Sequence, residues 1–308
     1  MKYFFIVNPK AGKINPMETI IPNITIILDK NNIDYQIFET NYQRHAIKLT
    51  KDIINSTTSK IRIIGVGGDG TLNEIIQSSV NQPHVEICII PAGTGNDFVK
   101  SFGSQDYFNI ENIILGKAIK IDTINYNDNY SINICSVGLD AKVGSNISTL
   151  KNIPFLKGKT LYNLSTIIEL SKKLGDKLEL IIDDKTLISN TFLFAVICNG
   201  QYYGGSFNPA PHAYLNDGLL DLILIKVPKY INLPTLIKEY KNGTYLYSKT
   251  GKEVIKTFKC KKIEIKSIKK ATCNLDGEIY SDTNFIFKIN EKSLNFIIPN
   301  KAKTYSII

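Results

Sequence analysis

The chain has 308 residues, 43% of them apolar and 21% charged, with 20 glycines and 11 prolines spread thinly along it. That excludes a disulfide-stapled miniprotein, a disordered chain and a low-complexity one, and favours two domains, each burying its own core. The net charge of +9 is unevenly held: residues 226–308 carry 17 Lys/Arg against 7 Asp/Glu, whereas residues 1–225 carry 20 against 21.

Tyr3–Val7 is a short apolar run ending in Asn8-Pro9-Lys10-Ala11-Gly12, and Tyr35–Phe38 is a second. Too few apolar residues precede Asn8 for a secretory leader, and no stretch approaches the ~20 apolar residues of a membrane span. The expectation is a cytoplasmic protein that would meet a membrane only from its surface. Between Gln43 and Asn55, apolar positions 46, 47, 49, 53 and 54 mark one helical face. Ile61–Gly65 and Val85–Ile90 are further strands, each followed by glycine and helix-compatible sequence. This alternation over residues 1–122 predicts an α/β domain on a parallel sheet.

After Ile121, Tyr130–Val137, Leu178–Ile182, Leu187–Asn199, Leu219–Val227, Phe258–Ile268 and Phe285–Ile298 read as strands, with helices at Leu161–Leu174 and Leu233–Tyr240. Residues 123–292 are expected to form a mostly antiparallel, β-sandwich-like second domain, with 293–308 packing back on the first. Cys88, Cys135, Cys198, Cys260 and Cys273 lie far apart with no C-x-x-C pair, which reads as buried reduced thiols in the cytosol. Strand edges in the second domain leave a homodimer open.

The most informative feature is a local echo. Gly70-Thr71-Leu72-Asn73-Glu74 and Gly93-Thr94-Gly95-Asn96-Asp97 both follow a strand and both read G-T-x-N-acid. In a parallel sheet such loops emerge on one edge, where open α/β sheets bind ligands. Glycines let the backbone approach a ligand, a helix N-terminus presents N–H groups to an anion, and Thr and Asn add neutral donors. That chemistry suits polyphosphate. Gly65-Val66-Gly67-Gly68-Asp69-Gly70 also matches a dinucleotide fingerprint with Glu86 downstream, but Asp69 would repel a pyrophosphate unless a divalent cation bridged them. A metal–nucleotide complex, and hence phosphoryl transfer, fits better than hydride transfer. Asn216-Asp217-Gly218 reads on its own as a turn. Asn274-Leu275-Asp276-Gly277-Glu278 offers two acids in a basic region, candidates for a general base. Tyr202–Phe207 is an aromatic, glycine-rich loop that either lines a cleft or covers the core.

Taken in order, Asn8-Pro9-Lys10-Ala11-Gly12, Gly67 to Glu74, Pro91 to Phe98, Leu215-Asn216-Asp217-Gly218 and Leu275-Asp276-Gly277-Glu278 resemble the motifs of the soluble bacterial diacylglycerol kinases, relatives of sphingosine and ceramide kinases. The resemblance implies ATP and a lipid meeting between an α/β nucleotide domain and a β-sandwich-like domain. By motif, Asn8, Pro9, Lys10, Ala11 and Gly12 would hold ATP phosphates together with Gly67, Gly68, Asp69, Gly70, Thr71, Leu72 and Asn73. Thr40, Thr94 and Asn96 would also lie at the nucleotide, with Asp69 and Asp97 on the catalytic Mg²⁺ or its waters. A further Mg²⁺ site is implied at the Asp217 side chain and the main-chain carbonyls of Tyr214 and Leu219. Glu278 matches the proton acceptor for the lipid's primary hydroxyl. Gly95 departs from the pattern, which leads one to expect Thr, Ala or a similar small residue.

The function expected is ATP-dependent phosphorylation of a lipid, with diacylglycerol the leading substrate. The alternatives are an NAD kinase, which shares the Gly-Gly-Asp-Gly-Thr loop, and a non-catalytic lipid-binding protein. Nucleic acid is not an expected partner, because no reading motif accompanies the charge. Between Lys249 and Lys270 lie nine lysines and two glutamates, and the spacing over 259–266 puts several on one strand face. A basic face attracts anionic headgroups at ~1 kcal/mol per residue, which suggests peripheral association with the inner face of the membrane.

Overall fold

The computed structural model describes residues 1–103, 109–138, 175–228, 233–300 and 307; the helix expected at Leu161–Leu174 lies outside them. Strands β1 (Lys2–Val7), β2 (Tyr35–Glu39), β3 (Ile61–Gly67) and β4 (Val85–Pro91) form a parallel sheet in the order β2-β1-β3-β4. β3 is buried along its whole length, as the near-continuous apolar run of a covered parallel strand requires. After the single turn α1 (Pro16–Thr19), helices α2 (Ile21–Lys30), α3 (His45–Asn55) and α4 (Asp69–Ser79) bury their apolar residues in the same core.

Helix α2 was not legible in the sequence. Its β-branched residues favour a strand by local preference. Ile21, Ile24, Ile27 and Leu28 nevertheless share a buried face, and tertiary packing overrides so weak a preference. Beyond β4 the chain makes a 3₁₀ turn, Phe98–Phe102, and the short α5 (Ile110–Ile114) rather than a long crossover helix among the described residues. Phe98 and Phe102 turn inward onto Phe296, with ring centroids 5.1 and 5.6 Å away.

Among the described residues, the strands of the second half pair with one another antiparallel. Its strands are β5 (Lys117–Tyr126), β6 (Asn129–Ser131), β7 (Ile134–Gly138), β8 (Asp176–Ile182), β9 (Thr186–Cys198), β10 (Leu220–Lys226), β11 (Ile255–Cys260), β12 (Lys262–Leu275) and β13 (Glu278–Ile298). Helices α6 (Leu233–Asn242) and α7 (Lys249–Val254) lie between β10 and β11. The run read as one strand over Tyr130–Val137 divides into β6 and β7, and the run over Phe258–Ile268 divides into β11 and β12 at Lys261.

β13 joins the halves. It pairs antiparallel with β12 and β5, then parallel with β4 through Asn295↔Glu86 and Phe296↔Ile87, making one 13-stranded sheet. Phe296, Ile297 and Ile298 are buried in the amino-terminal core. Arg62 on β3 binds Glu86 on β4 at 2.8 Å and the Ile114 carbonyl at 2.8 Å, all buried. Glu86 is therefore consumed structurally, and the dinucleotide fingerprint fails. All five cysteines are buried free thiols, and no described helix is long and apolar enough to cross a membrane.

The lysines over 259–266 divide between β11 and β12, with Lys261 at the junction, and each of them has an acidic partner. Lys259 pairs with Asp217 and Asp221, Lys261 with Glu291, Lys262 with Asp184 and Lys266 with Glu264. Truncation of Phe296 to Ala should lower unfolding stability by about 3–5 kcal/mol, because its ring is fully enclosed. Urea denaturation checks this.

Candidate active site

The strand order makes β1 a switch point: the chain leaves it toward β2 on one side, and β3 lies on the other. Ligands of open α/β sheets bind outside the carboxyl ends of the strands at such a point. There the structure has a pocket of about 800 Å³. Of the residues singled out by sequence, Asn8, Lys10, Ala11, Gly12 and Thr40 line it, as do Gly68, Asp69, Gly70, Thr71, Thr94 and Glu278.

The loops are held by bonds within the chain. Asn8 receives the Lys10 N–H on its Oδ1 at 3.0 Å and donates to Thr71 Oγ1 at 3.4 Å, tying the turn after β1 to helix α4. The two echoing loops touch: a Cβ placed on Gly93 would stand 2.7 Å from the Gly68 Cα, so no other residue fits. Asp69, in the first turn of α4, accepts the Asp97 and Phe98 N–H groups at 3.1 and 3.3 Å. Burial pushes its carboxyl above the usual range, against the pull of those N–H bonds. The departure at Gly95 has a local cause, since a Cβ there would lie 3.0 Å from Asp69 Oδ2.

Glu278 arrives from the second half. Leu275 and Glu278 pair across a two-residue turn in which Asp276 and Gly277 have φ of 48° and 102°. Positive φ at both positions is what a tight hairpin of this kind demands, and Asp-Gly supplies it. Asp276 does more than turn the chain. Its carboxylate accepts the N–H groups of Ile132, Asn133 and Ile134 at 2.8, 3.3 and 2.8 Å, pinning the hairpin against β7. Burial raises its pKa despite those bonds.

Several predicted residues act behind the pocket rather than on it. Pro9, Gly67, Leu72, Asn73, Asn96 and Asp97 are not in its lining. Leu72 and Asn73 are buried in α4, and Asn96 donates to the Gly93 carbonyl at 2.7 Å. Asp97 turns away, binding Lys100 and accepting the Gly205 N–H at 2.8 Å, while Lys100 reaches Ser206 Oγ at 3.3 Å. The Tyr202–Phe207 loop is thus tied to the second glycine loop. Sequence reading missed Asn41, Tyr42, Gln43, Ala46 and Glu74 as pocket residues. The clearest signal was Glu74, the acid of the first echo, which caps α3 by accepting the Arg44 and Ala46 N–H groups at 2.9 and 3.0 Å.

Tyr214, Asp217 and Leu219 lie outside this pocket's lining. Asp217 accepts the Leu219 N–H at 3.0 Å on one oxygen and the Lys259 ammonium at 2.7 Å on the other. With the Lys259 ammonium on one of its oxygens, this donor set does not suit Mg²⁺, which needs an octahedron of oxygens and would face that charge.

Residues 2–126 match the diacylglycerol kinase catalytic domain, and residues 133–298 match the YegS C-terminal NAD kinase beta sandwich-like domain. The chain belongs to the lipid kinase family that these two domains define. A relative described as a probable lipid kinase YegS-like, from Shewanella frigidimarina, is 32% identical over 77% of this chain and 76% of its own. A diacylglycerol kinase of Bacillus subtilis is 30% identical over 70% of each chain. Among solved structures, a diacylglycerol kinase of Bacillus anthracis superposes with a TM-score of 0.71 at 22% identity, covering 97% of both chains. An NAD kinase from Archaeoglobus fulgidus in complex with ATP reaches only 0.52 at 14% identity, over 98% of this chain and 95% of its own. Both likenesses to solved structures are of fold alone.

The raised pKa of Asp276 has a defined sign. The folded state holds this proton more tightly than the unfolded chain, so the contribution is fully present below the ordinary carboxylate pKa of about 3.9 and is lost as pH rises through the folded value. Asp276→Asn should remove that pH-dependent component. It should also lower stability at neutral pH by about 1–3 kcal/mol, since an amide cannot accept from all three N–H groups. Thermal melts across pH test both effects.

Proposed function

We propose that this lipid kinase transfers the γ-phosphate of ATP to a primary hydroxyl of a lipid, with diacylglycerol the leading substrate and phosphatidic acid the product. One observation carries the reading: Glu278, delivered by the second half, opens into the same pocket as both glycine loops of the first half. A carboxylate facing a polyphosphate cradle is the arrangement needed to take a proton from an attacking hydroxyl.

The remaining parts fit that role. The α4 N-terminus and the backbone of Gly68 to Thr71 offer N–H groups to phosphate oxygens, and Lys10 adds a charge. Thr40 and Thr94 supply neutral donors at the rim. Asp69, whose oxygens each retain a lone pair beyond the N–H bonds they accept, is the residue suited to hold the Mg²⁺ that accompanies the nucleotide. That ion, when bound, neutralises charge on the transferring phosphate. Glu278 accepts the hydroxyl proton as the lipid oxygen attacks, and Asp276 keeps the hairpin from yielding.

The basic excess supports a site of action at the anionic inner face of the membrane. After its acid-paired lysines, β12 breaks register with β13 between Lys266 and Ala271, and there Ile268 is 74% exposed beside exposed Lys269 and Lys270. An apolar side chain beside cations that have no acidic partner among the described residues is suited to rest in a headgroup layer. β11, outermost in the antiparallel half, offers the edge through which a homodimer would form.

Glu278→Gln should leave ATP binding intact and reduce lipid phosphorylation by about 10²–10⁴-fold. The measurement is transfer from labelled ATP with Mg²⁺ to a panel of lipids in mixed micelles, beside NAD. Labelled NADP with no labelled lipid would sink the reading. In vesicle sedimentation, Lys269→Glu with Lys270→Glu should weaken binding to anionic vesicles and leave the residual binding less salt-sensitive. Binding indifferent to both lipid charge and salt would remove the membrane role from this turn.

A further inference from the structure

Away from the pocket, the Asn216–Gly218 turn is closed by a side chain of this same molecule. Lys259 Nζ lies 2.7 Å from Asp217 Oδ2, 3.2 Å from Asp221 Oδ2 and 5.8 Å from the Tyr214 ring centroid. The other Asp217 oxygen accepts the Leu219 N–H at 3.0 Å. The surroundings dictate this placement. In the β10–β11 ladder Asp221 and Lys259 are direct partners, so their side chains leave the sheet side by side on one face. Wholly buried Asp122 accepts the Gly218 N–H at 2.8 Å, holding the turn so that Asp217 leans over the same spot. Two carboxylates and an aromatic face converge on one position, and the ammonium fills it.

The resemblance to diacylglycerol kinases puts a divalent cation against this same aspartate. The two occupants exclude each other. Mg²⁺ demands near-octahedral oxygen ligands at roughly 2.0–2.1 Å and keeps several waters. A lysine ammonium brings three donors and one positive charge on a flexible stem, and satisfies two carboxylates without water. An ion bound to Asp217 would face the Lys259 charge at contact distance. Among the described residues, no group of three or more His, Cys, Asp or Glu side chains converges to hold a metal, and this turn brings together only two carboxylates.

We propose that in this chain the Lys259 ammonium replaces the divalent cation of the Asn-Asp-Gly turn, leaving the turn metal-independent. Any divalent-ion requirement of the enzyme then belongs to its nucleotide alone. The inference stands apart from the choice of lipid, and it fails or holds without any turnover being measured.

The test compares the full-length wild type, Lys259→Met, Asp217→Asn and the double variant, all without nucleotide. Bound Mn²⁺ is counted by electron paramagnetic resonance, and melting is followed in EDTA and in excess Mg²⁺. The wild type should bind no more Mn²⁺ than Asp217→Asn, and should melt at the same temperature in EDTA and in Mg²⁺. Lys259→Met should melt several degrees lower in EDTA, recover in Mg²⁺, and bind one additional Mn²⁺ that the double variant loses. If the wild type binds one Mn²⁺ more than Asp217→Asn, or if EDTA lowers its melting temperature, the proposal is overturned. The wild-type comparison decides the matter even if Lys259→Met does not fold.

Discussion

The hydrogen-bonded ladder of β13 is the constraint on which the rest of the molecule depends. Its first residue is Glu278 and its last three are buried in the amino-terminal core. Along the way it pairs with β12, then β5, then β4. Each pairing fixes register to a whole residue, because a slip of one would invert every side chain between core and solvent. The carboxylate is therefore tied to the glycine loops through the continuous backbone of one sheet rather than through a compliant side-chain interface. A bulge between Asn290 and Leu294 lets the strand change partners without breaking the sheet.

Acids wholly or partly withdrawn from water do the fine positioning. Asp69 clamps the two glycine loops to each other, Asp122 accepts the Gly218 and Lys292 N–H groups at 2.8 and 2.6 Å, and Asp276 gathers three N–H groups of the β6–β7 connection. In each case burial raises the carboxyl pKa. The backbone donors compensate in part, and those same donors would otherwise be orphaned in irregular loops. The molecule accepts strained titrations at these places in exchange for loops that hold still.

This division explains what could be read from residues alone. Strands β1, β3 and β4 were legible because burial on both faces writes itself as a continuous apolar run, and the glycine loops because their chemistry is local. Helix α2 was hidden by β-branched residues whose helical face appears only once the sheet beneath it is known. The resemblance gives Asp69 and Asp97 the same role, yet Asp69 lines the pocket and Asp97 turns to the Tyr202–Phe207 loop; that choice depends on Gly205 and Ser206, far away in sequence. Lys259 looked like one lysine among many. Only the β10–β11 register turns it into the partner of Asp221 and Asp217.

The order in which the chain is made acquires significance from β13. The amino-terminal core contains Phe296, Ile297 and Ile298, and the edge of β4 is covered by Asn295 and Phe296. A ribosome-bound chain that has released only residues 1–126 therefore presents an unfinished apolar surface and an open strand edge. Such edges invite wrong pairing. Vectorial synthesis leaves the first half waiting for Asn295 to Ile298, so the two halves reach their native state together, and severing them between the domains would strand each with part of the other's sheet.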